Sequence, residues 1–448
     1  MLLQFSVSNF RALRGKESLN LAAKNGDKSL PENTMAPQLP GLKDKRWLKG
    51  AAIYGANASG KSTVIDAMEA LSQWVRQSAK TTDPEKEIDS IEPFALDPAA
   101  AEEPTAFAIT FVSNAVRFEY RTAATRSLIV HESLRAWPNG KEQIWFERDW
   151  NEDTETHDFS PENPTGLPRH RDIEQRTLRN MLYLSKAVAE NRRQLLPVFR
   201  WLTSRLKFLD LSTRSQLGRE FTLRQISGDN SALKNKILQA LRHADLGVVD
   251  AAVVDRAPDE NLLRFLHSVA PDDALPKIDS KTRVFEPQLI HQGPNKSNRP
   301  LPWDRESAGT HRFFALIGPI LDILDHGYTV CIDEIETSMH PTMVRVLLEL
   351  FFSEKENFTD AQLIFTTHNP LLLDNTLLRR DQVWFTDKDE EGSAHLYPLT
   401  DYQPRKGESL VRGYLAGRYG AVPFVPHGLL GDIADFEETN PEEEEAHD

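Results

Sequence analysis

Apolar and polar residues alternate from the start of the chain. Leu3, Phe5 and Val7 stand two apart as far as Asn9-Phe10-Arg11, which predicts a half-buried strand. Residues 24–48, rich in Lys, Pro, Gly and Asn, predict a loop. The unbroken apolar run Ala51-Ala52-Ile53-Tyr54 predicts a strand buried on both faces, as in a parallel sheet. Val64, Met68, Leu71 and Val75 then recur at helical spacing. After a charged linker at residues 81–89, alternation returns. Phe107-Ala108-Ile109-Thr110-Phe111 and Val116-Arg117-Phe118-Glu119-Tyr120 predict a hairpin across Ser113-Asn114, and Leu128-Ile129-Val130 and Gln143-Ile144-Trp145-Phe146 add strands to that antiparallel lobe.

The pattern changes at residues 151–171, a polar, proline-bearing stretch that predicts a domain boundary. Residues 172–209 read as helical on Leu178, Leu182, Val188, Leu195, Leu202 and Leu206, with Pro197 breaking the run in two. A further helix is expected over 231–243 on Leu233, Ile237 and Leu241. Heptads are not sustained, so the middle of the chain predicts a compact helical lobe and excludes a long coiled-coil arm. In the last third, Tyr328-Thr329-Val330-Cys331-Ile332 and Leu363-Ile364-Phe365 predict buried strands. Between them, Met343, Val346, Leu347, Leu350 and Phe351 predict a helix led by Pro341.

Composition narrows the class. The 448 residues suffice for two or three domains, and 40% hydrophobic with 27% charged residues describes a globular chain. No apolar run approaches a membrane span and no signal-peptide core is present, so a soluble protein is expected. One cysteine, Cys331, cannot form an internal disulfide, so a cytoplasmic location is expected. A net charge of −14 argues against indiscriminate nucleic-acid binding, although Arg169, Arg171, Arg176, Arg179, Arg192 and Arg193 make the middle locally basic. That cluster fits a solvated face, and it also fits a surface for nucleic acid or an acidic partner. Glu437-Glu438 and Glu442-Glu443-Glu444-Glu445 predict a disordered, solvated tail.

The candidate chemistry begins where the first buried strand ends. Gly55-Ala56-Asn57-Ala58-Ser59-Gly60-Lys61-Ser62-Thr63 has the form of a phosphate-binding loop. Gly55 and Gly60 let the backbone turn its N–H groups inward, Lys61 supplies a charge for the β- and γ-phosphates, and Ser62 offers a hydroxyl to Mg²⁺ at a helix N-terminus. The second buried strand ends in Asp333-Glu334. Asp333 is expected to hold Mg²⁺ through its water shell, and Glu334 to orient and deprotonate the attacking water. Ser307 and Gly309 open an apolar helix and offer a second anion seat, and His368 closes the last buried strand. Roughly 270 positions separate Lys61 from Asp333, too many for a loop, so the core must be split around inserted material.

Together these residues resemble the ABC-type ATPase heads of the Rad50, RecF and SMC kind. Gly55 to Ser62 matches the Walker A motif, Ser307-Ala308-Gly309 looks like the ABC signature, and Val330 to Glu334 looks like Walker B. Ser338 to His340 sits where the D-loop does, His368 is similar to the switch histidine, and Asn9-Phe10-Arg11 to the first-strand motif, which would put Arg11 at the nucleotide. Within that group the chain is most similar to the AAA15 family, which contains RloA- and AbiL-type phage-defence ATPases. The carriers are Asp333-Glu334-Ile335-Glu336 with His340-Pro341, Thr366-Thr367-His368-Asn369-Pro370, Arg380-Asp381-Gln382-Val383-Trp384-Phe385, and Gly413-Tyr414-Leu415-Ala416-Gly417-Arg418-Tyr419-Gly420-Ala421-Val422-Pro423. Two features depart from the pattern. The stretch Glu92-Pro93-Phe94-Ala95-Leu96 stands where a glutamine is usual, and the signature lacks its second glycine.

The resemblance implies an α/β fold, an ABC-type P-loop ATPase head of mixed sheet plus antiparallel β lobe, split by an inserted helical lobe. Its divisions would be 1–150 and 286–428 for the two parts of the head, 151–285 for the mainly helical lobe and 429–448 for the acidic tail. It further implies ATP and Mg²⁺ as ligands, with ATP held between the Walker loop of one copy and Ser307 and Gly309 of another in a homodimer or higher homo-oligomer. Members of this defence type work beside a separately encoded effector, commonly a nuclease, and no nuclease motif is visible here. The leading expectation is therefore an ATP-driven sensor or scaffold of a bacterial anti-phage system. A RecF-like DNA-repair ATPase is the alternative. A transporter subunit is disfavoured by the missing glutamine, and a non-catalytic assembly module remains.

Overall fold

Six strands form the central sheet, in the order Leu206–Leu209, Thr329–Ile332, Gln362–Thr367, Gly50–Gly55, Val383–Lys388 and Ala394–Pro398. The first five run parallel and the last antiparallel. A parallel sheet is covered on both faces, so its strands are apolar throughout. Ala51, Ile53, Cys331 and Ile364 pack on one side with the helix Lys61–Gln77, whereas Ala52, Tyr54, Ile332 and Phe365 pack on the other with the helices Ala308–His326 and Pro341–Phe352. The computed structural model describes residues 1–43, 45–162, 166–209, 215–228, 231–244, 246–256, 284–405 and 407–422. The expected acidic tail, residues 429–448, lies outside them.

A second sheet of seven antiparallel strands runs in the order Thr156–Ser160, Gln143–Asn151, Ile129–Trp137, Val116–Ala124, Thr105–Ser113, Leu2–Ser8 and Glu17–Asn20. The expected hairpin closes with Ser113 opposite Val116, leaving Asn114 and Ala115 as a two-residue turn with φ of 49° and 61°. Such turns match the twist of the paired strands. Alternation sends Phe5, Val7, Phe107, Ile109 and Phe111 inward onto Val64, Met68, Leu71 and Trp74. The helix that starts at Lys61 is thus gripped between two sheets, which fixes the loop at its N-terminus.

The middle of the chain differs from the helical lobe expected over 151–285. Residues 156–160 extend the antiparallel sheet, with His157 and Phe159 the better-covered positions. In place of two helices, residues 172–209 give short turns of helix at Arg171–Gln175, Tyr183–Ala189 and Leu196–Arg200, then a wide turn at Trp201–Arg205 and the strand Leu206–Leu209. Leu202 and Leu206, four apart, mimic a helix face. Leu206 and Phe208 instead pack on one side of the central sheet and Leu209 on the other, the period of a strand. Helices Ser215–Ser227 and Ser231–His243 follow, and a third sheet of Val248–Arg256, Val284–Gln292 and Asn298–Leu301 comes after them. Of the arginine cluster, Arg169, Arg176 and Arg179 pair with Glu174, Glu190 and Glu85, which favours the solvated or structural reading.

Two late motifs are structural staples. Arg379 and Asp381 form a buried ion pair, Asp381 accepts from Lys24 N, and Gln382 accepts from Asn33 and donates to Gly50 O. Tyr414 and Tyr419 pack with Phe385 and Tyr54, and the Tyr414 hydroxyl donates to Ala421 O.

The most demanding polar site of the fold lies in the antiparallel sheet. Glu132, fully buried, accepts from Tyr120 Oη at 2.9 Å, Arg148 Nε at 2.9 Å, Tyr183 N at 2.7 Å and Leu184 N at 3.0 Å. It ties three strands to the N-terminus of Tyr183–Ala189. Removing one partner of a buried ion pair leaves the other charge uncompensated. Glu132→Ala is therefore expected to lose about 3–5 kcal/mol in chemical denaturation. A loss below about 1 kcal/mol, the worth of an exposed pair, would contradict the role given to this carboxylate.

Candidate functional site

The strand Gly50–Gly55 ends in a loop shaped by three backbone positions. A Cβ on Gly55 would lie 2.4 Å from Ser59 Oγ and 2.5 Å from Thr386 Oγ1, so no larger residue fits. Ala58 and Gly60 have φ of 62° and 98°, the left-handed region that only glycine enters without strain. Ser59 Oγ and Thr386 Oγ1, 2.6 Å apart, share a hydrogen bond that ties the loop to the next strand, while Asn57 and Ala58 stay exposed. Lys61 is buried, and its Nζ donates to Gly55 O at 2.9 Å and Ala56 O at 2.8 Å. Burial lowers its pKa, opposed by the charges of Glu334, Asp333 and Glu336. Those three carboxylates come from the other end of the chain.

Ser62 Oγ donates to Asp333, 2.8 Å from Oδ2 and 3.0 Å from Oδ1. Thr366 Oγ1 donates to Asp333 Oδ1 at 2.6 Å and accepts from Glu334 N at 2.7 Å. One threonine hydroxyl therefore sets both the carboxylate and the backbone after it. Glu334 is exposed and has φ of 46°, and Ser338 has φ of 60°. Such strain in non-glycine residues persists only where the surroundings over-determine it. Here Ile335 N bonds Thr366 O and Thr337 Oγ1 bonds Glu334 O. Ser62 Oγ and Asp333 Oδ2 are hard oxygen donors with the spacing of neighbouring ligands in an octahedral shell of bonds about 2.0–2.1 Å long, so the residues fit Mg²⁺.

Arg11 reaches the same helix. Its guanidinium makes two bonds of 2.8 Å to Glu92 and one of 2.6 Å to Asp66, one turn after Ser62. The bonds to Glu92, and then the charge of Asp66, raise the arginine's pKa, and Arg11 in turn lowers that of Glu92. Burial raises the pKa of Asp66; Arg11 opposes this and Asp333 adds to it. Glu92 is thus an ion-pair partner of Arg11.

Ser307 caps the helix Ala308–His326, accepting from Thr310 N at 3.0 Å. A Cβ on Gly309 would lie 3.0 Å from Ser338 O, so these two segments abut within one copy. No hydrogen bond joins Ser307 or Gly309 to the phosphate loop among the described residues. His340 caps the helix Pro341–Phe352 through Nδ1, which accepts from Thr342 N at 3.3 Å. His368 N donates to Glu336 Oε1 at 2.7 Å, and its Nδ1 lies 3.2 Å from the same oxygen.

The fold therefore brings Gly55 to Thr63, Asp333, Glu334 and His368 to one edge of the central sheet, with Arg11 beside them, and sets Ser307, Gly309, Ser338 and His340 on an adjoining face. Thr366 and Glu336 stand in motifs quoted above with no role given to them, and Asp66 and Thr386 escaped the sequence reading. The signal for Thr366 was a hydroxyl at the end of an apolar run, a buried polar group that needs a partner.

Residues 51–374, well over half of the chain, match the model of a family described as "AAA domain, putative AbiEii toxin, Type IV TA system". No curated protein matches the chain. Solved structures that match include the SMC head domain from Thermotoga maritima, at 12% identity and a TM-score of 0.38, with 89% of this chain and 98% of that chain covered.

The geometry predicts the effect of deleting one hydroxyl. Thr366→Val removes one partner each from Glu334 N and Asp333, which keeps Ser62, and a polar group left unpaired costs about 1–3 kcal/mol when buried. A fall of that size in denaturant stability is expected, together with weaker binding of a Mg²⁺-nucleotide in calorimetry. A variant equal to the wild type in both would contradict the role given to Thr366.

Proposed function

The chain belongs to the family described as "AAA domain, putative AbiEii toxin, Type IV TA system", and from that membership we propose that it is an ABC-type P-loop ATPase that hydrolyses ATP with Mg²⁺. The observation that carries the reading is the hydrogen bond between Ser62 and Asp333, which brings the serine of a phosphate loop onto the carboxylate of an Asp-Glu pair. Lys61 exchanges its two loop carbonyls for phosphate oxygens when nucleotide enters, a change for which its buried amine is already placed. Ser62 and Asp333 would hold the Mg²⁺, whose charge neutralises the phosphates and orients them. Glu334, exposed at the end of its strand, takes the proton from the attacking water, and His368 contacts the γ-phosphate.

Ser307 and Gly309 are read as a seat offered to the nucleotide of a second copy, Ser307 capping its helix through Thr310 N. In the proposed assembly, ATP lies between two chains, each giving its loop to one nucleotide and its Ser307 helix to the other. Residues 1–150 and 286–428 serve as the two parts of this head. More finely, we place the chain among the AAA15-type, RloA- and AbiL-like phage-defence ATPases, as an ATP-driven sensor that controls a separately encoded effector, a nuclease in the leading version. The toxin system named in the family description is in keeping with such a role. No described helix is long and apolar enough to cross a membrane, and we place the activity in the cytoplasm.

Glu334→Gln tests the reading. The variant is expected to bind ATP, to release phosphate at a rate lower by about 10²–10⁴-fold, and to accumulate as nucleotide-bound, associated copies in light scattering. Phosphate release at the wild-type rate would mean that Glu334 is not the base, and ATP retention without association would remove the second copy from the site.

A further inference from the structure

Glu336 is a buried carboxylate that the nucleotide reading leaves without a task. It is 8% exposed, and its Oε1 meets His368 twice, at the peptide N–H and at Nδ1. Oε2 is buried with no hydrogen-bond partner among the described residues. A carboxylate retained for packing alone would be expected to satisfy both oxygens, because an unmet buried acceptor is destabilising. Here one oxygen is committed to a single residue, and that residue carries a half-exposed imidazole beside the strand end where the phosphate loop begins. One ring nitrogen thus lies within ion-pair reach of a carboxylate oxygen, while the side chain as a whole stays half exposed.

We propose that Glu336 is a positioning residue for His368, holding the Nδ1–H and the peptide N–H on one oxygen so that Nε2 is the ring nitrogen offered to a γ-phosphate. The proposal rests on the reading of the site as one that hydrolyses ATP. An acceptor fixed on one ring nitrogen decides which tautomer is present and how the ring points. The groups that share this environment come from two other elements. Tyr54, from the strand before the phosphate loop, has a buried hydroxyl without a partner and feels the charge of Glu336. Lys61 stands in the field of the same carboxylate. Among the described residues neither forms a hydrogen bond to Glu336, whose side chain accepts one, from the peptide N–H of His368.

A double-mutant cycle on ATP hydrolysis, joined to nitrogen-15 spectra of the nucleotide-free protein, separates the possibilities. Glu336→Ala is expected to lower kcat about ten- to a hundredfold, as misorientation of a contacting group does, with KM for ATP within about twofold of wild type. His368→Ala should lower kcat at least as far, and adding Glu336→Ala to it should change nothing more. Glu336→Gln, whose carbonyl oxygen still accepts, should restore most of the rate. In the spectra, a His368 Nδ1 signal characteristic of a protonated, hydrogen-bonded nitrogen should appear in the wild type and in Glu336→Gln and vanish in Glu336→Ala. Losses that multiply in the double variant, or a His368 spectrum unchanged in Glu336→Ala, would overturn the proposal. A wild-type protein that releases no phosphate would defeat the ATPase reading, and the nucleotide-free spectra would still decide the positioning by Glu336. Should Glu336→Ala fail to fold, the glutamine variant decides, since loss of its Nδ1 signal sinks the assignment.

Discussion

Ser62, Asp333 and Thr366 form a short hydroxyl–carboxylate–hydroxyl chain, with oxygens 2.8 Å and 2.6 Å apart. It exists only because the sheet places three parallel strands side by side: Gly50–Gly55, then Gln362–Thr367, then Thr329–Ile332. Parallel strands end on the same edge, and ligands in such sheets are met at the carboxyl ends. A loop of inward N–H groups, an Asp-Glu pair and a histidine thereby arrive together, although the chain separates them by roughly 270 positions, far beyond any loop. The described material between is accommodated by strands added to the two larger sheets, by a third sheet and by helices on both faces, without disturbing that edge.

Part of the backbone strain of the described residues lies at the same place. Ala58, Glu334 and Ser338 all hold a positive φ, and each lies in a segment tied down by hydrogen bonds or tight contacts. The ties come from neighbouring strands, Thr386 for the loop and Thr366 for the Asp-Glu corner. The antiparallel sheet also reaches the edge: Arg11, just past its first strand, grips Asp66 and Glu92. A shift of that sheet would therefore be felt at the helix that begins with Lys61. Glu132 and Arg148 keep the far strands of the sheet in register with the rest.

Much of this was legible in the sequence, because each feature was carried by local pattern. Gly55, Gly60, Lys61 and Ser62 announce a phosphate loop by residue type and spacing, and the apolar runs before Gly55, Asp333 and His368 announce buried parallel strands. The helix Ser231–His243 followed from its period. The strand Leu206–Leu209 did not, because Leu202 and Leu206 stand four apart and only pairing with Thr329–Ile332 makes the segment extended. Thr156–Ser160 escaped for a similar reason: its polar, exposed face reads as a boundary, and its strand character comes from its neighbour. Glu336 stood in a motif without a role because its partner, His368, is brought to it by the sheet from the next strand.

The account turns on one nucleotide being met by both ends of the chain. A crystal structure of the protein with Mg²⁺ and a non-hydrolysable ATP analogue tests this most directly. The triphosphate should lie against residues 55–62, with the metal bonded to Ser62 Oγ and Asp333 in its first shell or one water away. A nucleotide bound elsewhere, or a metal at Ser62 with Asp333 turned away from it, would contradict the account.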